Sequence, residues 1–280
     1  MFRRQTSGSI LCPSCGLLVG VNDEQCLNCG RRRPGMWGFT GPLALLRSED
    51  GFPQFVMWTC GILYVLTLVT APGAIGGLLS PGNVPLIRFG ASGAIPVYGQ
   101  AWWWTILSAG WLHGSLPHIA FNMMAVRNLG PGVAHLYGTS RAIIIYVLSS
   151  AAGFLVTSTL FFLMPELPWP LGGSDFSVGA SASVFGLFGA LLHYGRRGGS
   201  SLLRNQALQW IGIGLVFGFI PGMRIDNWAH IGGLAGGFLT AVLLDPLKPE
   251  RGNHAIAAVV ALAVSLGSVL LSLVVTARYL

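Results

Sequence analysis

The sequence predicts an all-α, polytopic membrane protein that is preceded by a small cysteine-containing unit. Of its 280 residues, 52% are hydrophobic and only 9% are charged, whereas a soluble domain carries about 25% charged residues. Several apolar runs of about 20 residues are long enough to cross the hydrocarbon core of a bilayer. Two CxxC pairs lie before the first of these runs. Together these features place most of the chain in lipid and leave a separate unit outside it.

The cysteine-containing unit covers residues 1–34. Cys12 and Cys15 form one CxxC pair, Cys26 and Cys29 form the second, and a glycine follows each pair. A two-residue spacer lets both thiolates of a pair face one metal ion, and two pairs complete a tetrahedral zinc site. The alternative is two disulfides, which also staple units whose core is this small. A reducing cytosol favours structural zinc, and the unit then resembles a zinc ribbon with an unknown cytosolic partner.

A linker rich in Gly, Pro and Trp, residues 35–50, leads into a membrane domain predicted for 51–280. Seven apolar segments divide this domain. The predicted spans are 53–72, 103–126, 141–163, 178–195, 206–221, 228–244 and 254–277. The fifth and sixth are short, which suits helices that surround a polar cavity rather than face lipid.

The basic residues predict the orientation of these spans. With the N-terminus inside, 13 Lys and Arg residues, Arg141 among them, fall in inside loops and 3 in outside loops, out of the 16 in the chain. Because cytoplasmic loops carry the excess of basic residues, the N-terminus and the zinc unit are expected in the cytosol. The net charge of +7 is thus explained by topology, and no nucleic-acid partner is expected. The expected location is the plasma (inner) membrane of a prokaryote.

Ser181 begins an uncharged helix of small residues. Ala182, Gly186 and Gly189 follow at spacings of four and three, so they line one helix face and allow another transmembrane helix to come close. Taken alone, the serine has two interpretations. It is either a structural hydroxyl bonded to a carbonyl one turn earlier or a nucleophile, with Ser183 as the fallback nucleophile.

His230 lies in the first turn of a second glycine-rich helix. Asp226 and Asn227 are good helix caps, so Asp226 is expected to cap the helix rather than to form the third member of a catalytic triad. Two overlapping GxxxG patterns follow the histidine. Two glycine-faced helices can bring Ser181 and His230 within bonding distance, and a serine beside a histidine is an activated nucleophile.

His118 and Asn122 are four residues apart in the second predicted span, so they share a helix face. One interpretation is a hydrogen-bonded pair that ties helices together. The other is a pair of donors aimed into the same space as Ser181. His113, five residues earlier, is expected to brace the adjoining loop.

The motifs HGSLPHIAFN, GASASVFG and NWAHIGGLAGG, on the second, fourth and sixth spans, resemble those of the rhomboid intramembrane serine proteases. The resemblance covers about residues 51–280 and implies a six-helix core with one C-terminal span added (6+1). It implies Ser181 as nucleophile, His230 as general base and Phe185 stacked on the catalytic histidine. It further implies an oxyanion site made by His118, Asn122 and the Ser181 amide.

The same resemblance implies that the substrate is a single-pass transmembrane protein cleaved near the outer membrane face, within the lipid bilayer and without a catalytic cofactor. Three positions depart from the family pattern. Ala182 stands where glycine is usual, Thr105 where arginine is usual and His135 where glutamate is usual.

Two other classes of function compete with the protease. A non-catalytic rhomboid-like protein would bind transmembrane clients, but such relatives generally lack the serine or the histidine, and this chain keeps both. A channel or transporter would spread ionisable residues along a path through the bilayer, whereas here the polar groups cluster in the outer half.

Overall fold

The computed structural model describes residues 5–12, 15–35, 49–71, 79–220, 225–248, 250 and 252–278. Most of the predicted linker at 35–50 lies outside these described residues. Within them, the protein has one two-stranded sheet followed by nine α-helices. The helices are α1 (Gly51–Val69), α2 (Asn83–Phe89), α3 (Thr105–Ser108), α4 (Leu116–Tyr137), α5 (Thr139–Leu163), α6 (Ser181–Arg197), α7 (Ser201–Phe217), α8 (Asn227–Leu243) and α9 (Gly252–Thr276).

The sheet belongs to the N-terminal unit. Strands β1 (Ser9–Leu11) and β2 (Leu18–Gly20) pair antiparallel, with Leu11 opposite Leu18. Val19, Cys12 and Cys26 form a small buried cluster of their own. A core this small holds a fold only with an added cross-link.

The helical membrane class is confirmed. Three helices are long and apolar enough to cross a bilayer within the part of the chain that the structure describes: Gly51–Val69, Thr139–Leu163 and Asn253–Thr276. Helices α6, α7 and α8 have 17 residues each, about 25 Å of helix, which is shorter than a hydrocarbon core of about 30 Å. The six-plus-one arrangement therefore stays a prediction.

The second predicted span, 103–126, is wrong in its bounds. The long helix is α4, and the aromatic run before it forms α3 and one short 3-10 turn, Ala109–Trp111. The hydroxyl of Ser115 accepts the backbone N–H of His118, and Pro117 lies in the first turn. Proline suits the first turn because its missing N–H would have no helical partner there, so the helix begins at Leu116.

Helices α5, α6 and α8 pack backbone against backbone. A methyl group added to Gly233 would overlap the carbonyl oxygen of Ala182, and one added to Gly237 would overlap the backbone of Gly186. On α5, a methyl group at Gly153 would meet atoms of both other helices. The glycine faces predicted for α6 and α8 therefore meet each other directly.

We expect Gly237→Ala to lower the stability of the folded chain by about 1–3 kcal/mol, because overpacking forces backbone shifts. Gly212→Ala is the matched control, since among the described residues no atom outside its own helix backbone lies within 4 Å of the position its methyl group would take. There the better helix propensity of alanine applies. Thermal midpoints in one detergent compare the two variants. A Gly237→Ala protein that melts at or above the Gly212→Ala midpoint would contradict this packing.

Candidate active site

Ser181 is the first residue of α6 and is half-buried. The chain before it, residues 174–180, leads directly into α6, and Gly179 there has a φ of +135°. That conformation favours glycine, and a side chain would also lie 2.6 Å from Nε2 of His118. The Ala180 N–H donates to Nε2 of His113, 3.5 Å away. The two residues before Ser181 are therefore hydrogen-bonded to His113 and packed against His118.

His230 lies in the first turn of α8 and is 5% exposed. Its ring stacks on Phe185, with centroids 4.1 Å apart and planes 11° from parallel. Phe185 is one turn after Ser181 on the same helix face, so this stacking brings the imidazole to the α6 face that carries the serine. Among the described residues, no hydrogen bond joins Ser181 to His230, and Nδ1 of His230 is buried without a partner. In other serine–histidine pairs, such a hydrogen bond is often long before substrate binds.

Asp226 is a cap, as the sequence predicts. Its Oδ1 accepts the N–H of Ala229 at 2.9 Å and the hydroxyl of Thr157 at 2.9 Å, and its Oδ2 accepts the hydroxyl of Ser177 at 2.8 Å. Since both carboxylate oxygens are bonded elsewhere, neither orients His230. The carboxylate instead ties α5, the segment before Ser181 and the start of α8 together.

His118 and Asn122 lie on the α4 face nearest the segment 174–180. Nδ1 of His118 accepts the N–H of Gly114 at 3.4 Å, so the neutral ring carries its proton on Nε2. That nitrogen is the atom that faces Gly179. Asn122 is 6% exposed and donates one amide N–H to the carbonyl of His118 at 3.0 Å. One N–H of Asn122 is thus used within the helix, and the second is left to donate elsewhere.

Two neighbouring residues differ in role from the site residues. His113 is fully buried and accepts a hydrogen bond from the N–H of Ala180, the residue before Ser181. The sequence predicted that it would brace the loop next to it in the chain, so its contact lies nearer to Ser181 than expected. Ser183 is also fully buried, and its hydroxyl donates to the carbonyl of Tyr146 at 2.9 Å. The Ser183 hydroxyl therefore forms a structural hydrogen bond between α6 and α5.

The positions that depart from the family pattern have local partners. The hydroxyl of Thr105 donates to the carbonyl of Trp102 at 2.7 Å. His135 lies on the surface with Nδ1 2.7 Å from a carboxylate oxygen of Glu49. Ala182 is fully buried against Gly233.

The four cysteines of the N-terminal unit converge on one point. All four sulfur atoms lie within 4.8 Å of one another. Cys12 Sγ is 3.7 Å from Cys29 Sγ, and Cys15 Sγ is 3.6 Å from Cys26 Sγ. Disulfide sulfurs are about 2.05 Å apart. Two thiolates that each lie about 2.3 Å from one tetrahedral zinc ion are about 3.8 Å from each other, which is close to the observed sulfur–sulfur distances. The cluster therefore fits a metal ion rather than two disulfides.

Hydrogen bonds favour the thiolate at Cys15, whereas burial and the neighbouring sulfurs raise the pKa of the Cys29 thiol to about 12. The backbone of Leu17 and then the side chain of Asn28 hydrogen-bond the Cys15 sulfur and lower the pKa of that thiol to about 6. Donors aimed at sulfur stabilise the charged form, and the thiolate is the form that binds metal.

About half of the chain matches a known protein family. Residues 100–246, which are 147 of the 280, match the family model described as Rhomboid domain. Rhomboid protease GluP of Bacillus subtilis (strain 168) is 34% identical over 192 residues, which are 67% of this chain and 35% of that protein.

Two proteins of Arabidopsis thaliana are also similar. RHOMBOID-like protein 4 is 31% identical over 62% of this chain and 42% of its own length. RHOMBOID-like protein 7 is 32% identical over 60% of this chain and 51% of its own length. The chain thus spans between about a third and a half of the length of these relatives.

Proposed function

The chain belongs to the rhomboid family, and on that premise we propose that it is an intramembrane serine endopeptidase with a Ser181–His230 dyad. The observation that carries the proposal is the stack of Phe185 on His230, one helical turn from Ser181, between helices whose glycines allow backbone contact. This arrangement holds an imidazole beside a serine hydroxyl. It is the pairing that nucleophilic catalysis requires.

In the proposed reaction, the Ser181 hydroxyl attacks the carbonyl carbon of the scissile peptide bond, and His230 accepts its proton. His230 then gives that proton to the leaving amine. Water, deprotonated by the same imidazole, hydrolyses the acyl-enzyme ester and restores the serine. Because Nδ1 of His230 has no hydrogen-bond partner among the described residues, the proposed dyad works without a carboxylate partner.

The developing oxyanion would be stabilised by groups at the start of α6 and on α4. The first amides of a helix have no intrahelical partner, so the Ser181 N–H is available. Nε2–H of His118 and the second amide N–H of Asn122 are the proposed side-chain donors. The proposed substrate is a single-pass transmembrane protein, whose helix must unwind before its carbonyl is open to attack.

One experiment separates this proposal from the non-catalytic alternative. The chain is reconstituted in liposomes with tagged single-pass transmembrane segments that have small residues near their outer ends. Wild type is expected to cleave at least one of them, and Ser181→Ala is expected to leave all of them intact. If segments co-purify equally with both proteins and neither cleaves them, the chain is a binding protein for transmembrane clients.

We further propose that α1 and α4–α9 form the six-plus-one domain at 51–280, with the N-terminus in the cytosol of a prokaryotic cell. Residues 1–34 would then form a cytosolic zinc-ribbon-like unit joined by the linker 35–50. A zinc ion bound by Cys12, Cys15, Cys26 and Cys29 would supply the cross-link that this small core needs.

Full-length protein purified under reducing conditions is expected to hold one zinc ion per chain. Replacing Cys12 and Cys26 by serine removes one ligand from each CxxC pair and should remove the zinc. Cys60→Ser is the matched control, because Cys60 is buried in α1. Elemental analysis of the three proteins decides the matter. Equal zinc in all three would rule out this cluster as the site.

A further inference from the structure

Helix α9 carries one polar face in an otherwise apolar span. Ser265, Ser268, Ser272 and Thr276 recur every three or four residues, and each is at most 4% exposed. Each hydroxyl donates to a carbonyl three or four residues earlier in α9. A hydroxyl that donates in this way still has lone pairs to accept another hydrogen bond. The face is therefore an acceptor surface turned toward protein.

The first loop, residues 79–115, lies against this face. The indole N–H of Trp104 donates to Oγ of Ser272 at 3.0 Å. The hydroxyl of Thr276 is shared as a donor between the Ser272 carbonyl, at 2.7 Å, and the carbonyl oxygen of Arg88 in the loop, at 3.3 Å. Between these contacts, Gly90 packs so close that a methyl group there would lie 2.5 Å from Ser272 Oγ. Helix α9 thus holds the loop at three neighbouring points.

The first loop in turn holds the chain that precedes the nucleophile. Ser92 and Ser177 exchange two backbone hydrogen bonds, with N···O distances of 3.1 and 2.7 Å. The N–H of Gly179 donates to the carbonyl of Ala109 at 3.0 Å. These bonds end two residues before Ser181. The side chain of Ser177 also reaches Asp226, the cap of the His230 helix.

We propose that α9 is a positioning helix for catalysis, and that the Trp104–Ser272 hydrogen bond is its main polar contact with the first loop. The proposal rests on the protease function proposed above. A displacement of the loop moves Ser177 and Gly179 with it, because their backbone bonds are made to the loop. Ser181 and the Ser181 amide then shift relative to His230 and the oxyanion donors. The helix acts through the loop and contacts no reacting atom.

A double-mutant cycle tests this coupling. Trp104→Phe removes the donor, and Ser272→Ala removes the acceptor. Each single change is expected to lower kcat on a cleaved transmembrane segment by about 2- to 10-fold, the fold-change that one lost hydrogen bond corresponds to, with KM nearly unchanged. The double variant should be no slower than the worse single variant, because both changes break the same bond.

Ser268→Ala is the matched control. Ser268 is buried on the same face, and its hydroxyl bonds only the carbonyl of Ser265 among the described residues. Its kcat should match that of wild type. Wild-type kcat in both Trp104→Phe and Ser272→Ala would overturn the proposal, as would losses that multiply in the double variant.

A second readout does not depend on activity. Amide hydrogen exchange at Ser177 and Gly179 in detergent is expected to quicken in Ser272→Ala and to stay unchanged in Ser268→Ala. If wild type fails to cleave, the proposed protease function fails, while the exchange rates still decide whether α9 braces the loop. Equal exchange in the two variants would mean that it does not.

Discussion

Replacing His230 by alanine is expected to abolish peptide-bond cleavage while the chain stays folded in the membrane. In the proposed dyad the imidazole accepts the Ser181 proton, and without it the hydroxyl is a weak nucleophile. In serine proteases, the loss of the catalytic histidine alone lowers kcat by about 10⁶-fold. A loss of that order would put the activity of His230→Ala below detection in a membrane assay.

His135→Ala is the control for this experiment. That histidine is exposed and pairs with Glu49, and the stack on Phe185 does not include it, so its removal should leave kcat near the wild-type value. Phe185→Leu should fall between the two, because leucine keeps the bulk against His230 but not the flat stacking surface. Normal turnover in a folded His230→Ala protein would refute the dyad.

Replacing Asn122 by alanine is expected to lower kcat by about 10²- to 10³-fold, with little change in KM. The tetrahedral intermediate carries its negative charge where water is scarce, and preorganised donors stabilise that charge without reorganising. Loss of one oxyanion donor typically has this effect, equivalent to about 2.7–4 kcal/mol. The change falls on kcat because the donor acts in the transition state.

The competing interpretation is that Asn122 serves only to stabilise α4. One of its N–H groups does bond the His118 carbonyl within that helix, so some loss of thermal stability is expected as well. The two roles separate when kcat is measured on the folded fraction. A lowered melting temperature with unchanged kcat would assign Asn122 to structure alone. His118→Ala provides the parallel test of the ring donor.

Much of this site could be predicted because its signals are local. The cap residue Asp226 and the helix-spaced glycines lie within a few residues of His230, whereas the stack of Phe185 on His230 was implied only by the family resemblance. Patterns at this range report directly on helix starts and faces. The spacing of the four cysteines in two CxxC pairs likewise predicts that their sulfur atoms lie close together.

The parts that could not be predicted depend on contacts across long separations. The bond between Trp104 and Ser272 joins residues 168 apart, and nothing in either segment alone indicates the other. The orientation rule places Arg141 among the inside basic residues without indicating its partners, and the side chain is 1% exposed and donates to the carbonyls of Asp245 and Lys248. Such partners appear only when the helices are packed together.

The bounds of the second span failed for a different reason. Hydropathy favoured a helix from the aromatic run at 102–104, and this outweighed the local start signals at Ser115 and Pro117. The glycines at 110 and 114 break the apolar run into short turns before α4 begins. Capping chemistry was the better guide at this boundary.

A fluorophosphonate probe tests most directly the proposal that Ser181 is the nucleophile. The probe forms a covalent bond only with an activated serine, and tandem mass spectrometry of the labelled full-length protein locates the adduct. We expect one adduct, on Ser181, that is lost in Ser181→Ala and kept in Ser183→Ala. An adduct on Ser183, or labelling that persists in Ser181→Ala, would contradict it.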